Sequence, residues 1–302
     1  MGKKFSGVSQ ILSHFRGGIQ ALATLLTNLH LPNFLKGGLY QGSGKTVCVP
    51  GLNCYSCPAA SGACPIGSFQ AVVGSSKFSF SYYITGFLIL LGVLLGRFIC
   101  GFLCPFGWFQ ELLHKIPTKK LSTGKLKPLT YLKYAILLVM VFLLPAFLVN
   151  DVGMGNPFFC KYLCPQGVLE GAIPLSIANA GIRSALGKLF TWKFSILLTV
   201  MALSILFYRP FCKWLCPLGA FYALFNRVSL FQMKVDKNKC VSCGKCAKTC
   251  KMDVDVTKTP NHSECIRCGM CVRACPTGAV FFRYGFGDGN EKDKAAIKLQ
   301  EN

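Results

Sequence analysis

Long uncharged apolar runs organise this chain. Residues 78–96 (FSFSYYITGFLILLGVLLG), 134–150 (YAILLVMVFLLPAFLVN) and 194–208 (FSILLTVMALSILFY) carry no charged side chain. A membrane-spanning helix needs about 17–25 residues. The last run reaches that length with its flanks. A buried core helix is the soluble alternative, but three such runs in one chain argue against it. A fourth stretch, 17–35 (GGIQALATLLTNLHLPNFL), is also uncharged but holds Gln20, Asn28, His30 and Asn33. It is read as a fourth span, with a position in the membrane interface as the alternative. A cleaved signal peptide is rejected, because no small-residue cleavage site follows the run.

Basic residues orient these spans, since Lys and Arg favour the cytoplasmic side. Segment 101–130 has Lys115, Lys119, Lys120, Lys125 and Lys127, and sixteen basic residues follow Tyr208. The amino tail adds Lys3, Lys4 and Arg16. Segments 33–77 and 151–192 hold only three Lys or Arg each. The amino tail, 101–130 and the carboxyl tail are therefore expected inside, and the two less basic segments outside.

Composition agrees. Of 302 residues, 52% are hydrophobic and 15% charged, against about 25% charged in soluble domains. The apolar content excludes disorder. The net charge is +22. Because it flanks apolar runs, it points to a membrane and not to nucleic acid.

Eighteen cysteines carry the chemistry. Residues 240–250 read CVSCGKCAKTC, and residues 265–276 read CIRCGMCVRACP. Both have the x2-x2-x3 spacing of bacterial 4Fe-4S ferredoxins, in which the fourth cysteine of each run serves the other cluster. One cluster is assigned to Cys240, Cys243, Cys246 and Cys275. The other is assigned to Cys265, Cys268, Cys271 and Cys250. Structural zinc is the rejected alternative, since the third cysteine and x3 gap repeat. Lys251 stands where Pro is usual.

The other ten cysteines form a repeat. Four sites read Cys-Pro-x-Gly, beginning at Cys64, Cys104, Cys164 and Cys216. Three have a cysteine four residues earlier: Cys100, Cys160 and Cys212. Cysteines at i and i+4 share a face of a helical turn, and Pro suits a helix start. An inner metal site is predicted at Cys100, Cys104, Cys212 and Cys216. An outer one is predicted at Cys160, Cys164, Cys57 and Cys64, with Cys48 and Cys54 as alternative ligands. Outer disulfides are the competing reading. Arg97, Lys115 and Arg209 flank the inner cysteines and either mark the membrane boundary or stabilise anionic clusters.

These motifs resemble the membrane-anchored polyferredoxins of the NapH type, related to the membrane half of NosR-type proteins. The resemblance rests on Cys100/Cys104, Cys212/Cys216, the four-helix layout and the tail motifs, and covers most of 80–280. It implies electron transfer between the quinone pool or cytoplasmic donors and extracytoplasmic redox enzymes. The CVPGLNCYSC run and Cys160/Cys164 exceed the simplest family pattern.

The expected fold is a membrane α-helical bundle with about four transmembrane helices and a two-fold internal repeat, followed by an α+β two-cluster 4Fe-4S ferredoxin domain. The boundaries are 1–232 for the membrane domain, 233–284 for the ferredoxin domain and 285–302 for a flexible tail. The cofactors are two 4Fe-4S clusters in the carboxyl-terminal domain and one or two further clusters in the membrane domain, with a quinone as a further candidate. The expected location is the cytoplasmic membrane, multi-pass, with the ferredoxin domain on the cytoplasmic side. The expected partners are redox proteins on one or both faces, the quinone pool and membrane lipid, with no nucleic acid. The expected function is an electron relay, as a subunit of an oxidoreductase such as a quinol dehydrogenase. A redox sensor or a maturation factor for a partner metalloenzyme is the alternative. No catalytic acid–base constellation is visible.

Overall fold

The structure is a computed structural model that describes residues 3–4, 6–75, 81–151 and 153–285. Residues 78–80 of the first apolar run and the tail from 286 lie outside the described residues.

Among the described residues, two helices are long and apolar enough to cross a membrane: Leu126–Phe147, 22 residues, and Lys188–Leu206, 19 residues. At 1.5 Å per residue they extend about 33 and 28 Å, matching a hydrocarbon core of about 30 Å. Leu138, Val139, Phe142 and Leu143 on the first, and Trp192 and Leu198 on the second, are exposed. The first helix widens into a π-helical stretch over Leu137–Leu143, just before Pro145. A proline in a helix lacks its N–H and clashes with the preceding turn, and the wider turn accommodates it.

The other two expected spans are shorter. Tyr82–Leu95 has 14 residues. It stops at Gly96, whose φ is +55°, and a Cβ there would lie 2.8 Å from Arg267 Nη1. Within 17–35 the longest helix is Arg16–Thr27, 12 residues, or about 18 Å. It ends because Asn28 leaves helical geometry and turns its amide back to Thr24 O at 3.1 Å. Its polar residues face inward: Gln20 is buried and donates to Gly101 O at 3.0 Å.

The carboxyl-terminal unit has strands β2 (Phe231–Val235) and β3 (Val280–Tyr284), paired antiparallel from Phe231–Tyr284 to Val235–Val280. The amino terminus joins them. Strand β1 (Lys3–Lys4) pairs with the other edge of β3, giving the order β1-β3-β2. Helix Ser6–His14 follows, and Ser9 Oγ accepts from Phe282 N at 2.9 Å. Strand β1 and helix Ser6–His14 thus adjoin the ferredoxin motifs, although the expected boundary groups them with the segment 1–232. One hydrophobic core runs from Leu52, Cys64 and Cys104 through to Met252, Ile266 and Cys268. A smaller core around Met233, Val272 and Phe282 lies under the sheet.

Candidate metal centres

The two carboxyl-terminal cysteine loops repeat one backbone trace. Ser242 and Arg267 both have φ of 51°, and Gly244 and Gly269 have φ of 69° and 79°. Each loop leads into a short helix, Lys245–Thr249 or Met270–Ala274. Left-handed residues curl the chain so that thiols three positions apart converge.

Two cavities lie beside these loops. One is lined by Cys250, Cys265, Cys268 and Cys271 with apolar neighbours such as Met252 and Ile266. The other is lined by Cys240, Cys243, Cys246 and Cys275. Neither lining includes a carboxylate or an imidazole. Four soft thiolate donors against apolar walls suit an iron–sulfur cluster. Burial pushes the Cys275 thiol up, but hydrogen bonds from Thr277, Ala279 and Val280 outweigh it and hold it below the ordinary thiol range. The Ala279 N–H donates to its sulfur at 3.2 Å.

Among the remaining ten cysteines, Cys100, Cys104, Cys212 and Cys216 are buried together, and their thiols interact electrostatically with one another. The Cys-Pro-x-Gly motif explains their placement. Cys104 and Cys216 are the N-caps of helices Pro105–His114 and Pro217–Phe225. Cys216 Sγ accepts from Gly219 N at 3.3 Å. A helix start offers unpaired N–H groups and a positive dipole end, which favour a thiolate. Cys64 caps Pro65–Gly74 in the same way.

The second set differs from expectation in one member. Cys64, Cys160 and Cys164 interact electrostatically, and the fourth thiol among them is Cys54, not Cys57. Cys54 N donates to Glu170 Oε2 at 2.9 Å, and a Cβ on Gly167 would lie 3.6 Å from Cys54 Sγ. Cys57 turns away, donating to Asn28 Oδ1 at 3.5 Å. Cys48 is buried, near Ser68 and Tyr222. No disulfide joins any two of the described cysteines. Among the described residues, no three His, Cys, Asp or Glu side chains gather closely enough to hold a single metal ion.

Each CxxxCPxG motif is braced by a cation from elsewhere. Arg209 donates to Cys100 O, and a Cβ on Gly107 would meet its Nη1 at 2.9 Å. Arg97 donates to Cys212 O at 3.2 Å, with its Nη2 3.5 Å from a Cβ on Gly219. Lys193 donates to Cys160 O at 3.0 Å and lies 3.3 Å from a Cβ on Gly167. The motif glycine therefore leaves room for a cation beside the thiols. Arg97 and Arg209, fully buried, do more than mark a membrane boundary. Lys193 and two buried glutamines, Gln70 and Gln110, escaped the sequence reading. Their signals were the spacing from each motif and the parallel texts CPIGSFQ and CPFGWFQ.

The Cys100 set and the Cys64 set meet at one wall. Segment Pro50–Asn53 reaches inward, with Leu52 buried. The Leu52 N–H acts on the Cys104 thiol and the Asn53 N–H on the Cys64 thiol. Tyr222, which donates to Pro50 O at 3.1 Å, interacts with Cys100, Cys104, Cys64 and Cys48. The Cys100 set also abuts the ferredoxin unit. A Cβ on Gly101 would collide with Ile266 O and sit 3.8 Å from Cys268 Cα.

A salt bridge pins this junction. Glu264 pairs with Arg97 at 3.0 Å and Lys133 at 2.5 Å. Burial pushes its carboxyl up, but the two cations outweigh that and hold it below the usual carboxylate range.

A 4Fe-4S binding domain family matches residues 79–124, 133–173 and 189–238, which carry three of the Cys-Pro-x-Gly motifs. A second 4Fe-4S binding domain matches 259–281. An uncharacterised protein of Methanocaldococcus jannaschii is 31% identical, over 66% of this chain and 77% of its own length. The putative electron transport protein YccM of Escherichia coli is 27% identical, over 56% of this chain and 45% of its own. The ferredoxin-type protein NapH of Haemophilus influenzae is 25% identical, over 59% of this chain and 55% of its own. No solved structure matches the chain.

Proposed function

This chain belongs to the NapH/NosR-like polyferredoxin family of ferredoxin-type electron transport proteins, and from that premise we propose that it is a membrane-bound electron relay. It joins a cytoplasmic or quinone donor to an extracytoplasmic redox partner. Its carboxyl-terminal domain holds two 4Fe-4S clusters. Cys100, Cys104, Cys212 and Cys216 hold a third, and Cys54, Cys64, Cys160 and Cys164 a fourth. A cubane cluster supplies reversible one-electron chemistry. The protein's own residues position the thiols, brace them with Arg97, Arg209 and Lys193, and exclude water by burial.

The observation that carries this reading is the single packed core joining the Cys268 loop, the Cys100 set and the Cys64 set. Electron relays need closely spaced centres, because tunnelling directly across a hydrocarbon core of about 30 Å is too slow. The distribution of Lys and Arg supports placing the ferredoxin unit on the cytoplasmic side. The repeated helix–cysteine pattern supports a two-fold layout of four membrane segments, of which Leu126–Phe147 and Lys188–Leu206 are the long ones.

The test is iron and acid-labile sulfide per chain after anaerobic purification in detergent. Four cubanes give about 16 irons, and the ferredoxin pair alone gives about 8. Cys104→Ala or Cys216→Ala should remove about four. A value near 8 in the unaltered protein refutes the membrane centres.

A further inference from the structure

Gln70 and Gln110 are six residues after Cys64 and Cys104 and are fully buried. Gln70 Nε2 lies 3.2 Å from Cys160 Sγ and donates to Ile66 O at 3.3 Å, while its Oε1 accepts from Phe159 N at 3.0 Å. Gln110 repeats every contact. Its Nε2 lies 3.2 Å from Cys212 Sγ and 3.3 Å from Phe106 O, and its Oε1 accepts from Phe211 N at 3.2 Å. Each amide thus reaches the first cysteine of a CxxxC pair on a distant segment and the backbone N–H just before it.

This pairing fixes the amide orientation. A backbone N–H can only donate, so the atom facing Phe159 or Phe211 must be the carbonyl oxygen. The NH2 group is then forced toward the sulfur. The arrangement occurs once in each membrane set. At the corresponding place after Cys164 and Cys216 stand Glu170 and Tyr222, neither of which can offer an amide.

We propose that Gln70 and Gln110 are matched positioning residues that raise the reduction potentials of the two membrane centres, each donating an N–H to a ligand thiolate. Reduction adds one electron, and so one negative charge, to a thiolate-ligated cluster, and no bond breaks. A donor fixed on the sulfur stabilises that added charge, and hydrogen bonds to the sulfurs are among the levers that set cluster potential. Pre-placement costs nothing at the moment of transfer, because the Phe N–H already holds the amide. This assignment rests on the membrane centres proposed above.

The experiment is a mediator-coupled redox titration of the full chain in detergent, followed by electron paramagnetic resonance, with iron counted on each sample. The variants are Gln110→Leu and Gln70→Leu, which remove the sulfur donor and add no charge. Gln110→Asn and Gln70→Asn, one methylene shorter and so withdrawn from the sulfur, serve where the apolar side chain prevents folding. Each variant should retain the unaltered iron content and lower the potential of one centre, a different one for each position. The expected size is about a tenfold drop in the reduced-to-oxidised ratio at fixed potential, which is ~59 mV for one electron. Unchanged potentials at full iron content overturn the proposal. Loss of about four irons from a variant makes the glutamine purely structural and overturns it too. A count near 8 in the unaltered protein instead overturns the membrane centres themselves.

Discussion

Glu264→Gln is the perturbation with the largest expected effect on how the ferredoxin unit sits on the helical domain that precedes it. Lys133 and Arg97 are fully buried, and Glu264 is their shared anion, with a side chain 11% exposed. Removing the anion leaves two buried cations facing each other. Breaking a buried ion pair from one side costs about 3–5 kcal/mol. Arg97 keeps its bonds to Ser263 O and Cys212 O, so the lower end of that range is expected. At 1.4 kcal/mol per tenfold, amide hydrogen exchange over 259–272 should quicken about a hundred-fold or more. Adding Lys133→Met removes one stranded cation and should recover much of the loss, since apolar replacements for buried pairs are often near neutral. The carboxyl is held below its ordinary range, so its contribution is complete above the unfolded value of about 4.3 and is lost as pH falls through the lowered value. The single variant should lack this acid limb. A cost below about 1 kcal/mol, or a double variant no better than the single, refutes the clamp.

Two further substitutions test the neighbouring geometry. Cys54→Ala should lose about four irons per chain while Cys57→Ala loses none, and the reverse result returns Cys57 to the ligand set. Gly101→Ala drives a Cβ into Ile266 O and should lower stability by about 1–3 kcal/mol through overpacking. Gly86→Ala, with nothing within 4 Å of its Cβ, should be neutral or stabilising by about 1 kcal/mol. Equal thermal midpoints for the two glycine variants refute the close approach at Gly101.

Much of the site was legible where local spacing dictates geometry. Cysteines three positions apart around a left-handed glycine curl together, so the grouping of both carboxyl-terminal cysteine sets was readable from 240–250 and 265–276. The pairing of Cys100/Cys104 with Cys212/Cys216 was readable from the repeat. The choice between Cys54 and Cys57 was not. Both lie in an irregular segment, and the outcome depends on Glu170, more than a hundred residues away, holding the Cys54 N–H. Segment 17–35 was readable as apolar, but whether it crosses the membrane depends on which way Gln20 and Asn28 face. Tertiary hydrogen bonds decide that. The closeness of the two membrane sets was hidden for the same reason, since it depends on Pro50–Asn53 folding inward.

The edge strand Lys3–Lys4 has a consequence for biosynthesis. Its partner is Val280–Tyr284, with Lys3 opposite Tyr284. At about 5–20 residues per second of synthesis, the amino terminus waits about 15–60 s for its strand to be made. Throughout that interval helix Ser6–His14 also lacks Phe282, the residue bonded to Ser9. Contacts so distant in sequence are slow to close. Deleting residues 3–14 should therefore leave early membrane insertion intact and expose the late ferredoxin sheet. The β1 pairing therefore closes only on chains that have been synthesised through residue 284.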